Sequence, residues 1–363
     1  MKTLIIFFPS IESGGVEKNF YYLLHYFSKK FKKIIVVTSS KVNKKQFSKK
    51  INFLNINSIF WFNRNRLIKS IICFFLGLSL YSQKEKIILS FQSNIYAIVL
   101  SKIINSKIII RLNTSPEKYI SSPFKKLIFK NFYNFSDEII VNSFEFKKKL
   151  KKILKLNSQA IYNPIALPRK IKKKKINYFN NYKHLKILNI GRLTDQKDHL
   201  TLIRSLSLLK KEGYKFKLYL IGKGYNYSNI LSEIKKYQLN KYIKLAGYKS
   251  KAYEFMNAAN LFILSSKYEG LPNVLIEAQY FGMPIISSNC PTGPKEILIN
   301  GKAGIMFKTG NYFDLKNKIK FFIKNKNLFY KKARFAKKNL HRFANKSIQE
   351  KYYKILIKHF NSE

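Results

Sequence analysis

Two acids, Glu269 and Glu277, stand with seven residues between them in EGLPNVLIEAQYFGMP, in a chain that carries 18 acids against 70 lysines and arginines. A carboxylate accepts two hydrogen bonds side by side, so each can grip the neighbouring hydroxyls of a sugar. Paired acids also serve glycoside hydrolysis, and acids at a helix start are stabilised by its dipole by about 0.3–1 kcal/mol. A second set of reactive types lies in NIGRLTDQKDHLTLIRSL. There the planar guanidinium of Arg192 and the mobile ammonium of Lys197 suit a diphosphate. Hydrolysis of a glycosidic bond has no use for such cations, so acids and cations together fit a sugar carried on phosphate. Glycines complete the candidates. Gly14 and Gly15 lie in PSIESGGVEKNF, Gly191 in NIGRL, and Gly222 in LIGKG, each where backbone approach to a ligand or a plain turn explains the residue equally well. No full dinucleotide fingerprint or P-loop is present.

These residues need elements to hold them. Short β-branched runs alternate with helix-like segments from end to end: TLIIFF, KKIIVVTSS, KIILSF, KIIIRLN and DEIIVNS in the first half, then HLKILNIGRLT, FKLYLIGKG, IKLAGYKS, NLFILSS and MPIISSN. Apolar strands in βα repetition predict an α/β fold with parallel sheets covered on both faces. The pattern restarts after IYNPIALP, across the basic stretch RKIKKKKINYFNNYK, which reads as a solvated linker. Two doubly wound, Rossmann-like domains follow, over 1–168 and 169–342, with ligands expected at the carboxyl ends of the strands and in the cleft between the domains. The amphipathic segment KSIQEKYYKILIKHF, within 343–363, is expected to return and pack on the first domain. In the opening stretch the strand ends near Ser265, Glu269 and Gly270 occupy the loop, Pro272 takes the first helical position, and Glu277 lies about a turn inside the helix. The N–H groups of Asn273 and Val274 would then point out of the helix start.

Composition bounds the rest. A formal charge of +52 over 363 residues suits an anionic partner such as a membrane surface, nucleic acid or a phosphorylated substrate. The excess is spread evenly over both halves, and Lys, Asn, Ile, Phe and Tyr are all abundant, as codon bias alone would make them. A nucleic-acid-binding protein should concentrate its charge with aromatic platforms or a known module; neither is visible, and no nucleic acid is expected as partner. Cys73 and Cys290 suggest neither a disulfide framework nor a metal site. MKTLIIFFPS has the apolar character of a leader, but a glycine turn follows instead of a cleavage site, so it reads as the first buried strand. The longest apolar run, Ile71 to Tyr81, falls short of the ~20 residues that cross a bilayer. It reads as a core helix or, flanked by Trp61, Arg64, Arg66 and Lys69, as a segment resting in the membrane interface. The expected location is cytoplasmic, or peripheral on the inner face of the membrane.

Taken together, GGVEKNF, GRLTDQKDHLTLI, LIGKG and EGLPNVLIEAQYFGMPIISSNCPTGPKEIL resemble glycosyltransferase family 4, and the likeness runs over essentially the whole chain. The resemblance implies the GT-B fold, two Rossmann-like domains facing a central cleft. It implies retaining transfer of a hexose from a nucleotide diphosphate sugar, UDP-linked in the first instance, to a glycan or lipid-linked glycan of the cell envelope. Carried over residue by residue, Glu269 sits by the donor sugar and the reacting centre, and Glu277 binds the ribose. Arg192 and Lys197 stabilise the leaving diphosphate. Backbone at Gly191, Gly222, Gly270, Leu271, Pro272, Asn273 and Val274 lines the donor, and Gly14 and Gly15 approach the diphosphate from the first domain. Neither metal nor cofactor is expected, since the two cations neutralise the diphosphate. One departure concerns a first-domain histidine of many relatives: this chain reads RLNTSPEK there, leaving Arg111 or Asn113 on the acceptor side. A sugar-nucleotide epimerase of the same fold is the alternative, distinguished by conversion without an acceptor.

Overall fold

The run TLIIF is buried along its whole length as strand β1 (Thr3–Phe7), the first element of a parallel sheet. A computed structural model of the chain describes residues 2–11, 15–42, 47–56, 65–114, 120, 122–165 and 177–361. It divides into two units: Met1–Ala166 with Phe343–Glu363, and Leu167–Arg342.

In the first unit β1 is followed by α1 (Gly15–Phe27), β2 (Lys33–Val37), β3 (Ile51–Leu54), α2 (Arg66–Leu78), β4 (Lys86–Ser90), α3 (Asn94–Ile103), β5 (Lys107–Leu112), α4 (Pro123–Asn134), β6 (Glu138–Val141), α5 (Phe144–Leu154) and β7 (Gln159–Ala160). The strands lie parallel in the order β3-β2-β1-β4-β5-β6-β7. Side chains alternate between sheet faces. Leu4, Ile6, Val36 and Leu89 therefore join one core with Phe20 and Leu24 of α1, while Ile5, Phe7, Val37 and Ile88 join the other with Cys73, Ile98, Tyr133 and Phe146 of α2 to α5. The closing helix, Asn345–Phe360, covers the first of these cores.

The second unit runs β8 (Leu185–Ile190), α6 (His199–Lys211), β9 (Phe216–Ile221), α7 (Tyr227–Lys236), β10 (Ile243–Leu245), β11 (Leu261–Leu264), α8 (Asn273–Tyr280), β12 (Ile285–Ser288), α9 (Pro294–Ile297), β13 (Ile305–Phe307), α10 (Tyr312–Lys324) and α11 (Lys326–Lys338). Its parallel order is β10-β9-β8-β11-β12-β13. Leu202, Ile203, Leu206 and Leu209 recur at helical spacing along α6 and are buried against Leu218, Leu220 and Ile263 of the sheet.

Helix α12 (Asn345–Phe360) returns to the first unit. Its Ile348, Tyr352, Ile355 and Leu356 form one stripe in the core with Phe20, Leu24 and Phe27. Gln349 Nε2 donates to Tyr22 O at 2.9 Å, and the Tyr26 hydroxyl donates to Glu350.

Two expectations need amendment. Strands β3, β7 and β13 are not among the expected runs: they lie at sheet edges and are partly exposed, so they lack the fully buried apolar run of the inner strands. The linker reading does not extend past residue 176: Phe179 is 3% exposed, and Lys217 Nζ sits 4.5 Å from the Tyr178 ring and 4.8 Å from the Tyr182 ring. Packing of these rings on the strand β9 lysine, not solvation, therefore shapes this stretch. The start of the basic run, to Lys175, lies outside the described residues, as do Gly14, Trp61 and Arg64.

Candidate functional site

In a doubly wound sheet the strand order reverses between two adjacent parallel strands, and the loops leaving their carboxyl ends run to opposite faces and form a crevice. In the second unit those strands are β8 and β11, paired through Leu261 with Ile187 and Phe262 with Leu188. Arg192 and Lys197 follow β8, and Glu269 follows β11. Residues 72 apart in sequence thus emerge side by side.

The two loops are bonded to each other throughout. Lys267 N donates to Gln196 O at 2.8 Å, Gln196 Nε2 to Tyr268 O at 3.0 Å, and Ser265 Oγ to Lys197 O at 2.9 Å. The centre of this seam is an ion pair, Lys197 Nζ to Glu269 Oε1 at 2.5 Å, with side chains 14% and 7% exposed. Ser266 Oγ donates to the same carboxylate oxygen at 2.6 Å. Glu269 is fixed from behind as well, since its N–H donates to Pro291 O at 3.3 Å and its carbonyl accepts from the Thr292 hydroxyl. Ser288 Oγ at the end of β12 holds Ser266 O at 2.6 Å.

Arg192 contrasts with this. Its side chain is exposed, and among the described residues its guanidinium has no hydrogen-bond or ion-pair partner. One loop therefore offers a free five-donor fork and, five residues on, an ammonium engaged by a carboxylate. An anion with several oxygens, such as a diphosphate, matches that pair of cations.

Close backbone packing explains two glycines. A Cβ on Gly222 would lie 1.8 Å from Gly191 O, because the turn after β9 presses against the turn after β8; Leu193 N donates to Lys223 O at 3.0 Å across the same seam. Gly293, with φ of +83°, would place a Cβ 2.2 Å from Gly270 O. This is how the loop after β12 seats the Glu269–Gly270 loop. Gly191 itself has room, its nearest neighbour being the Lys197 stem at 3.4 Å.

Helix α8 starts one residue later than expected: Pro272 is its N-cap, with extended backbone, and Asn273 its first helical residue. A proline ring at the cap offers no side-chain acceptor to the first turn. Leu271 and Pro272 are buried, Val274 is partly buried, and Glu277 lies on the second turn, partly buried.

His199 is a site neighbour that sequence reasoning missed. It opens α6 behind the cap Asp198, which adopts φ of +45° and accepts from Thr201 N at 3.3 Å and Thr201 Oγ1 at 2.7 Å. The imidazole is 2% exposed, and among the described residues neither ring nitrogen has a partner. Burial, aided by the nearby Lys197 charge, lowers its pKa to about 4. Ser266, Thr292 and Gln196 were missed too; hydroxyls and an amide in loops leave no sequence signal until the strands that carry them are adjacent.

In the first unit, Gly15 begins α1. Arg111 ends up elsewhere than on an acceptor-facing surface: it is 1% exposed at the end of β5. Its Nε donates to the Tyr352 hydroxyl at 2.8 Å, one terminal nitrogen to Asn163 Oδ1 at 2.6 Å and the other to Asn113 Oδ1, over the Phe91 ring at 5.3 Å. Arg111 thus ties α12 to the sheet and orients Asn113, whose Nδ2 donates to Phe91 O at 2.8 Å. Asn113 remains partly exposed.

The chain is similar in sequence and in fold to known proteins. The chain is 34% identical over 224 residues to an uncharacterized glycosyltransferase of Methanocaldococcus jannaschii, covering 57% of this chain and 55% of the other, so it spans about half the length of that relative. It is 26% identical over 331 residues to the N-acetylgalactosamine-N,N'-diacetylbacillosaminyl-diphospho-undecaprenol 4-alpha-N-acetylgalactosaminyltransferase of Campylobacter jejuni, covering 86% and 87% of the two chains. Anabaena HepE, crystallised in complex with UDP-glucose, superposes with a TM-score of 0.79 over 99% of this chain and all of its own, at 16% identity. That likeness establishes the GT-B fold. The family model for glycosyl transferases group 1 matches residues 170–350, the stretch that holds Arg192, Lys197, Glu269 and Glu277. Through that region the chain belongs to the glycosyl transferases group 1.

Proposed function

We propose that the chain is a retaining family 4 glycosyltransferase that moves a hexose from a UDP-linked donor to a hydroxyl of a glycan or lipid-linked glycan in envelope polysaccharide synthesis. The carrying observation is the switch-point arrangement of the second unit, with the free Arg192 guanidinium beside the Lys197–Glu269 pair. Two cations there suit the two phosphates of a nucleoside diphosphate, and a carboxylate next to them suits the hydroxyls of the attached sugar. The activities named for the relatives support the class, and the UDP-glucose held by HepE supports the donor.

In this reading the bond from the anomeric carbon to the terminal phosphate oxygen breaks, the acceptor oxygen bonds to that carbon, and the acceptor proton leaves with the nucleoside diphosphate. Arg192 and Lys197 stabilise the charge that grows on the departing diphosphate. Glu269 positions the sugar and steers Lys197; Glu277 holds the ribose. Backbone from Gly270 to Val274, with Gly191 and Gly222, lines the donor. Asn113, oriented by Arg111, serves the acceptor side. The reaction is metal-independent, and turnover in EDTA tests that clause. The location is the cytoplasm or the inner membrane face.

The test is a screen of nucleotide sugars for protection against thermal unfolding, because a ligand bound only to the native state raises its stability, followed by transfer assays with envelope glycolipids. UDP-sugars should protect and donate. Conversion of the nucleotide sugar with no acceptor present would instead establish an epimerase.

A further inference from the structure

The first unit is unlike on its two faces. Among the described residues, every large hydrophobic side chain of this unit that is strongly exposed lies on or beside α2 to α5, and none on the face formed by α1 and α12. On α2, Leu67, Ile71 and Phe75 follow one another at intervals of four and are 60%, 38% and 63% exposed, while Cys73 and Gly77 of the same helix face the core. On α4, Phe124 and Leu127 are 71% and 56% exposed beside the exposed Lys125 and Lys126. The sequences of α2 to α5 contain eleven Lys and Arg and a single acid, Glu145.

We infer that this face of α2 to α5 is a docking surface for an anionic lipid bilayer, with the α2 stripe and the α4 pair seated at the acyl boundary and the lysines on the headgroups. The chemistry singles out this occupant. Exposed leucine, isoleucine and phenylalanine gain by entering the hydrocarbon boundary, and lysines alongside gain from anionic headgroups. A phosphate backbone offers nothing to the aliphatic stripe. A second copy meeting this face with its own would set up to ten cations against ten, since Lys69 is buried. No helix of the described residues is long and apolar enough to cross a membrane, so the contact is with the surface. The inference rests on the transferase reading only for the lipid-borne acceptor it would bring within reach, not for the binding itself.

The experiment is co-sedimentation of the full chain with vesicles of phosphatidylcholine alone or mixed with phosphatidylglycerol, at low and high salt. Three variants are compared: Leu67→Ser/Ile71→Ser/Phe75→Ser, Lys125→Ala/Lys126→Ala, and a control in the second unit, Phe313→Ser/Phe335→Ser with Lys331→Ala/Lys337→Ala. Wild type should bind the anionic vesicles. The α2 and α4 variants should each lose about tenfold in affinity and the control less than about twofold. The lysine variant adds no apolar change, so it keeps the test valid if the serine triple folds poorly. Equal losses in all variants would show adsorption by bulk charge, and would overturn the inference. So would a dimer abolished by the α2 variant with vesicle binding intact, or α2 and α4 variants that lose RNA binding but keep vesicle binding. Protection by UDP is measured on the same samples. Loss of that protection in wild type with vesicle binding intact would count against the transferase reading alone.

Discussion

Replacing Glu269 by glutamine separates what the carboxylate does for the fold from what it does for the site. The variant keeps the size of the side chain and an oxygen that can accept from Ser266 Oγ, now 2.6 Å away, but leaves the Lys197 ammonium without a counter-charge. Removing one partner of a buried ion pair costs roughly 3–5 kcal/mol. Lys197 is 14% exposed and keeps a neutral acceptor, so the cost here should fall to about 2 kcal/mol. For a domain of about 150–250 residues that lowers the unfolding temperature of the second unit by about 4–8 °C. The same change frees Lys197 from its competitor for phosphate. UDP should therefore bind Glu269→Gln as tightly as wild type or tighter, and should restore most of the lost stability, while transfer falls by about 100-fold or more. Scanning calorimetry with and without UDP, beside a transfer assay, reads all three quantities. An unfolding temperature and turnover both equal to wild type would refute the reasoning, because the pair would then neither hold the loops nor serve the reaction.

Other outcomes follow from the same geometry. Arg192→Ala should leave stability within about 0.5 kcal/mol, because the guanidinium is exposed and unpartnered, yet weaken UDP binding by about 10–100-fold in titration calorimetry, the worth of one charge-assisted pair of bonds. Gly222→Ala drives a Cβ to 1.8 Å from Gly191 O, so the turns after β8 and β9 must part; a loss of several kcal/mol in denaturant unfolding is expected, of order 3 or more, and an unchanged midpoint would contradict the packing. His199 sets a pH dependence. Its folded pKa of about 4 lies below the unfolded value of 6.5, so between those values the unfolded chain binds the extra proton and stability rises with pH. The contribution lost on acidification from above 6.5 to below 4 is about 3 kcal/mol, and a His199→Leu variant should flatten that part of the stability profile.

Much of this fold is visible in local patterns. Apolar runs such as KIIVV and KIILS announce parallel strands because both of their faces are buried, and the α12 stripe is spaced to cover one core. The strands β3, β7 and β13 escape notice because they lie at sheet edges, partly exposed, and so carry no fully apolar run. The candidate donor residues could be chosen by type and position, yet their relations could not. Nothing in NIGRLTDQKD shows that Lys197 meets a carboxylate 72 residues away while Arg192 meets none. Similarly, Arg111 ends a strand as an acceptor-facing residue would, and only its bond to Tyr352, 241 residues on, shows that it is buried and ties α12 to the sheet.

By itself, then, the sequence determines the α/β class, the two parallel sheets and the short set of acids and cations able to handle a phosphorylated sugar, because those depend on hydrophobic period and side-chain chemistry. Tertiary structure decides the rest. The adjacency of β8 and β11 brings Lys197 to Glu269, the approach of one turn to another dictates Gly222, and burial decides that His199 stays neutral and that Arg111 orients Asn113. These are properties of distance and solvent exclusion between remote segments, and they come into being only when the chain has folded.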